Sequence, residues 1–151
     1  MREKFASELY ELMKADENIM LITADMGFGI LDRIKEDFRC RFFNVGAAEQ
    51  VMMDIAVGMT LRGKIAVAYS ITPFLLFRPF ETLRNYIDHE NIPVVMVGTG
   101  RGDDYKAGIS HYAGDDDIIK CFKNIRFIEE DDFNLREILY SKKPTYLNLK
   151  R

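Results

Sequence analysis

The feature that most constrains the fold is a series of six short apolar or extended runs separated by amphipathic stretches, with no linker anywhere between them. The runs are 19–22, 41–45, 65–69, 92–97, 125–128 and 145–149. Short runs without strict apolar–polar alternation are the signature of strands covered on both faces, and β-branched residues such as Ile92, Val94, Val95 and Val97 suit them. The stretches between them carry helical spacing: Phe5, Leu9, Leu12 and Met13, then 30–38, then 48–61 with Val51, Ile55 and Met59 on one face, then 74–89, 117–122 and 133–140. This alternation predicts one α/β domain over 1–151, a three-layer α/β/α structure around a mostly parallel six-stranded sheet. In such sheets ligands sit beyond the carboxyl ends of the strands. Asp25, Glu49, the segment 70–77 and the glycine-rich loop 98–114 all follow strands, so four strand exits are expected to meet on one edge.

Composition removes several classes of function. The net charge of −3, with acids and bases interspersed, leaves no basic footprint for nucleic acid and no polybasic membrane patch. No apolar run reaches the ~20 residues that cross a bilayer, and Met1-Arg2-Glu3-Lys4-Phe5 lacks the apolar core of a secretory signal, which predicts a cytoplasmic protein. Cys40 and Cys121 match no zinc or redox spacing and read as reduced thiols. Asp115-Asp116-Asp117 reads as capping at a helix start, and the glycines complete neither a dinucleotide fingerprint nor a P-loop, so no metal site is predicted on this chain.

The residues that carry chemistry cluster at the strand exits. Glu49 opens a helix after Gly46-Ala47-Ala48, where a carboxylate either complements the helix dipole or meets a ligand that the small residues admit to the backbone. Phe74, Phe77 and Phe80 recur at helical spacing, as core residues or as an aromatic wall, and the segment has more apolar sides than one core stripe needs. His111 lies in the long loop, either solvated or serving in proton transfer or substrate binding. His89 falls in the last turn of a helix and serves its dipole.

Asn44-Val45-Gly46-Ala47-Ala48-Glu49-Gln50 resembles the N-x-G-[IV]-[AR]-E-[QH] motif in the pyrimidine-binding domain of transketolase and 1-deoxyxylulose-5-phosphate synthase, which are thiamine diphosphate enzymes. The likeness runs along nearly the whole chain. Thr23-Ala24-Asp25-Met26 resembles the A-D-[LM] strand end, and 58–63 the glycine-bounded helix end. Phe74-Leu75-Leu76-Phe77 with Phe80 resembles T-F-x-x-F, and Leu83-Arg84-Asn85 resembles I-R-N. Gly108-Ile109-Ser110-His111 resembles G-P-T-H, and Pro144-Thr145-Tyr146-Leu147 the closing strand.

The resemblance implies that Glu49 hydrogen-bonds N1′ of the aminopyrimidine and so favours the tautomer that activates the thiazolium. It implies further that Phe74, Phe77 and Phe80 line the pyrimidine pocket, that Asp25 lies near the cofactor, and that His111 faces a sugar-like substrate in two-carbon ketol transfer. Where the family usually has an aspartate before the loop glycine this chain has Ala107, and the histidine that many transketolases carry near Gly100 is missing; both positions touch the sugar in the family. No G-D-G motif occurs in the 151 residues. The resemblance therefore implies thiamine diphosphate shared with a separate diphosphate-binding subunit that holds Mg2+, in an α2β2 assembly. A thiamine-dependent decarboxylating synthase acting on pyruvate and a non-catalytic partner-binding domain remain alternative readings.

Overall fold

The computed structural model describes residues 1–106, 108–112 and 116–151, and of 116 and 117 only the backbone. Ala107 and Asp115 thus lie outside the described residues, and Asp116 and Asp117 begin a helix whose side chains there are not described.

The first element, α1 (Arg2–Ala15), buries Phe5, Leu9 and Met13 on one face and ends where Asp16 turns to an extended conformation. The strand β1 (Ile19–Thr23), the helix α2 (Asp32–Asp37) and the strand β2 (Phe42–Asn44) follow, and then α3 (Glu49–Leu61) and β3 (Ile65–Ile71). Next come α4 (Thr72–Phe77), a short α5 (Phe80–Thr82) and a π-helix (Leu83–His89), before β4 (Val95–Thr99) and a 3-10 turn (Ile109–His111). The chain closes with α6 (Asp116–Ile119), β5 (Arg126–Ile128), α7 (Leu135–Tyr140) and β6 (Thr145–Leu149).

The six strands form one sheet in the order β2-β1-β3-β4-β6-β5, and every neighbouring pair is parallel. A parallel sheet must be covered on both sides, and this one is. On one face Leu21, Val67, Tyr69, Val95, Val97 and Leu147 pack with α1, Leu31, Ile34 and α7. On the other, Ile22, Ala66, Ala68, Met96 and Tyr146 pack with Met52, Met53 and Ala56 of α3, with Leu75, and with Leu83 and Ile87 of the π-helix. Side chains alternate between faces along each strand, so β3 presents Val67 and Tyr69 to one layer and its small Ala66 and Ala68 to the other. Among the described residues no helix is long and apolar enough to cross a membrane.

The amphipathic stretch 74–89 is not one helix. Pro79 lacks an N–H and closes α4 at Phe77, after which the chain restarts as α5 and widens into the π-helix. The wider turn is held by the N–H of Glu90 donating to the carbonyl of Asn85 at 3.3 Å. It also buries Asp88, whose carboxylate accepts from the backbone N–H groups of Lys123, Asn124 and Ile125 at 2.8, 2.7 and 3.3 Å. One side chain thus ties the end of the π-helix to the turn that leads into β5.

Candidate active site

The chain passes from β1 outward to β2 and then returns to lay β3 on the opposite side of β1. Ligand crevices in open parallel sheets form at such a reversal, beyond the carboxyl ends of the two diverging strands. Here those ends are Thr23-Ala24-Asp25 and Ser70-Ile71-Thr72, and α3, which follows β2, starts beside them.

Two turns shape the crevice. Asn44, the last residue of β2, accepts through Oδ1 from the N–H of Asp25 and from that of Gly46, both at 3.0 Å. A single amide thereby fixes the exit of β1 and the turn into α3. Gly46 has φ +72°, a left-handed conformation that disfavours a side chain. Asp25 adopts φ +51° despite having one, so local backbone strain is stored at this edge, and its side chain is exposed.

Glu49 is the first residue of α3, and only 1% of it is exposed. A buried carboxylate is costly unless paired and hydrogen-bonded, and both demands are met here. Ser70 Oγ donates to Oε1 at 2.9 Å, and Arg78 Nη1 donates to Oε2 at 2.5 Å. The Arg78 guanidinium lies over the ring of Phe74, with Cζ 3.8 Å from the centroid. The ring of His111 meets Phe74 edge-on at 4.9 Å between centroids. Gln50, the neighbour of Glu49, donates to Asp54 at 2.9 Å and to Thr82 at 2.7 Å, which holds the start of α3 against α5.

The loop after β4 is stitched to the next two strand exits. Thr72 Oγ1 donates to the carbonyl of Gly100 at 2.9 Å and lies 3.0 Å from Asn148 Oδ1. Arg101 binds the carbonyls of Glu129 and Asn148 and pairs with Asp131 at 3.1 Å. The backbone N–H groups of Arg151 and Arg101 hold the Asp104 carboxyl below the usual carboxylate range. Beside His111 a concavity of about 340 Å³ is lined by Asp103, Lys106, Ile109 and Tyr112. A larger groove of about 700 Å³ lies between α1 and the start of α7, and none of the candidate residues lines it.

Of the residues singled out from the sequence, the structure brings Glu49, Phe74 and His111 into one cluster through Arg78 and the Phe74 ring. Phe77 stands 47% exposed at the end of α4. Phe80 turns the other way and packs on Phe122 at 5.7 Å, at the margin of the core. Ser70, Arg78 and Asn44 are the residues that sequence reasoning passed over. Asn44 did carry a signal, since Asn before a glycine turn tends to hydrogen-bond its own backbone. Ser70 and Arg78 carried none beyond their position in an otherwise apolar segment.

The arrangement offers a fixed carboxylate oxygen at the end of an aromatic face. A flat ring that turns a nitrogen on its edge to the carboxylate fits it, because the planar Arg78 guanidinium, which reaches Oε2 through Nη1, already occupies that geometry. The aminopyrimidine of thiamine diphosphate has such an edge. Among the described residues no group of three or more His, Cys, Asp or Glu side chains is arranged to hold a metal ion.

Comparison with known proteins gives a consistent family. Residues 1–115 match the family described as transketolase, pyrimidine binding domain. A transketolase C-terminal section of Methanocaldococcus jannaschii is 32% identical over 159 aligned positions, covering 100% of this chain and 50% of that protein. An apulose-4-phosphate transketolase subunit of Actinobacillus succinogenes is 33% identical over 93 positions, covering 60% of this chain and 30% of that one. The solved structure of a split-gene transketolase, described as an inactive β4 tetramer, superposes with a TM-score of 0.86 at 28% identity, covering 99% of this chain and 51% of that one. The chain spans half the length or less of the curated relatives it matches.

Proposed function

Because the chain belongs to the family of transketolase pyrimidine-binding domains, we propose that it is the pyrimidine-binding subunit of a thiamine diphosphate-dependent, transketolase-like enzyme that moves a two-carbon ketol unit between sugar-like substrates. The observation that carries the proposal is Glu49, a buried carboxylate at the β1/β3 crevice with one oxygen held by Ser70 and the other bonded to Arg78, whose guanidinium lies on the face of Phe74.

Thiamine diphosphate, when bound, supplies the nucleophilic carbon of the reaction, and the protein supplies position and electrostatics. Glu49 would hold the proton shared with the pyrimidine N1′, and Ser70 keeps its carboxylate from rotating. Phe74 would stack on the ring, worth about 0.5–1.5 kcal/mol beyond the area it buries. Phe77 would close the apolar side of the pocket, Phe80 would back it only from the core through Phe122, and Asp25 would stand at its β1 rim. His111, held by its contact with Phe74 and by Ser110 Oγ at 3.0 Å from Nδ1, would face the substrate and exchange a proton with its oxygen.

The diphosphate and its Mg2+ would be held by a second subunit, in an α2β2 assembly. The names of two relatives support that division, since the Actinobacillus protein is itself named as one subunit of its enzyme and the split-gene protein forms a tetramer described as inactive.

The test is Glu49→Gln in the complex reconstituted with its diphosphate-binding partner, thiamine diphosphate and Mg2+. Glutamine preserves shape but cannot exchange the proton, so turnover is expected to fall by at least about 10²-fold, the scale on which a positioned acid–base group acts. Retained turnover would sink the assignment. A donor screen run alongside separates ketol transfer from decarboxylation of pyruvate, and failure to capture any diphosphate-binding partner would favour a non-catalytic binding domain.

A further inference from the structure

Arg78 does more than neutralise Glu49. Its guanidinium occupies the two contacts that a ligand ring would need, the Oε2 oxygen of Glu49 at 2.5 Å and the face of Phe74 at 3.8 Å from the centroid. Another side of the same ring is taken by His111 in an edge-on contact. Oε1 is engaged by Ser70, so Oε2 is the oxygen left for a ligand, and Arg78 already bonds it. The two occupants cannot share the place, since a ring in stacking contact with that face would overlap the guanidinium.

We infer that Arg78 is a built-in stand-in for the ligand, which fills the pyrimidine half-site of the unloaded chain and must swing out when the ring enters. The inference rests on the proposed function above and adds a regulatory step to that site. Three features suit the side chain to the part. It is a flat group that gives one N–H to Oε2 while lying on Phe74, as a ring protonated at N1′ would. It is 43% exposed, whereas its partner Glu49 is 1% exposed, so water can receive the departing cation and only the carboxylate needs a substitute. It also caps the end of α4 outside the buried core, so its side chain can leave without displacing a core residue. The stand-in keeps Glu49 from being buried unpaired while the site is empty, a state that is strongly disfavoured.

The device predicts competition. If Arg78 is home nine-tenths of the time, the half-site binds its ligand about tenfold more weakly than it would without the arginine. The full chain and its Arg78→Ala variant are titrated with 4-amino-2-methylpyrimidine and, separately, with methylguanidinium, and binding is followed by NMR shifts at Phe74 and Glu49. Both probes are expected to bind the variant about tenfold more tightly than the parent and to raise its Tm. Glu49→Leu combined with Arg78→Ala, which offers neither charge nor hydrogen bond, is expected to bind neither. Arg78→Lys keeps the charge but loses the flat stacked fork, and is expected to fall between parent and alanine variant; it serves in place of the alanine variant if that one fails to fold.

Aminopyrimidine that binds parent and variant equally, or binds the parent more tightly, would overturn the stand-in and leave the Glu49 assignment intact. Methylguanidinium that fills the variant while aminopyrimidine does not would overturn both. Binding of neither probe to any of the proteins would do the same.

Discussion

Gly98 and Tyr146 show how little freedom single residues have around this crevice. Gly98 lies in β4 next to β6, and a Cβ placed on it would stand 2.1 Å from the Tyr146 hydroxyl and 2.8 Å from Thr72 Oγ1. The tyrosine is fully buried, its hydroxyl has no hydrogen-bond partner among the described residues, and burial pushes its phenol well above the ordinary value. Neither neighbour can retreat without loss, because Thr72 is bonded to Gly100 and Tyr146 is packed against Phe127 at 5.3 Å. Gly98→Ala is therefore expected to lower stability by about 1–3 kcal/mol, the usual cost of overpacking, and urea unfolding of parent and variant measures it. The loss should be accompanied by movement of Thr72, which joins the β3 exit to the loop after β4.

Among the elements, the turn between α1 and β1 illustrates how a surface carboxylate fastens secondary structures together. Asp16 accepts from the backbone N–H of Asn18 at 2.8 Å and from the Tyr140 hydroxyl of α7 at 2.8 Å. The N–H of Asn18, aided by Tyr140, holds the Asp16 carboxyl below its ordinary value, which is near 3.8. A carboxyl depressed on folding contributes stability at pH values above its unfolded pKa, and the contribution is lost as pH falls through the folded value. Asp16→Ala is thus expected to cost about 1 kcal/mol at neutral pH, with the difference in Tm between parent and variant narrowing below about pH 4. A gap that widens on acidification would contradict this assignment. The break after α4 acts on the same scale. Helical periodicity from Phe74 to His89 was legible in the residues, but periodicity does not say how Pro79 and the π-turn redirect the side chains on either side. That redirection sends Phe80 to Phe122 and leaves Phe77 at the surface.

Across the whole molecule, apolar side chains stand exposed at or near several strand exits: Phe28 after β1, Val51 in the first turn of α3, Phe77 after β3 and Ile109 after β4. Clustered exposed apolar groups mark interaction surfaces, and a shared cofactor would require the second subunit to close over this edge. Phe28, at 72% exposed, is free to be changed without disturbing the core. Phe28→Glu is expected to weaken capture of the diphosphate-binding subunit by about tenfold or more while leaving the circular dichroism of the isolated chain unchanged. Unchanged capture would exclude the β1 exit from the interface.

The strand and helix alternation, the parallel α/β class and the meeting of Asp25, Glu49 and the β3 exit on one edge follow from the sequence alone. They rest on local apolar patterning and on the rule that parallel strands share their carboxyl ends. What only the tertiary structure decided is which side chains touch. Asn44 bridges the exit of β1 and the turn into α3, Ser70 and Arg78 converge on Glu49 from β3 and from the end of α4, and Phe74 rather than Phe80 becomes the aromatic face. Those contacts depend on the strand order and on the helix break at Pro79, which fix the direction of each side chain in space, and neither is encoded in the spacing of apolar residues along the chain.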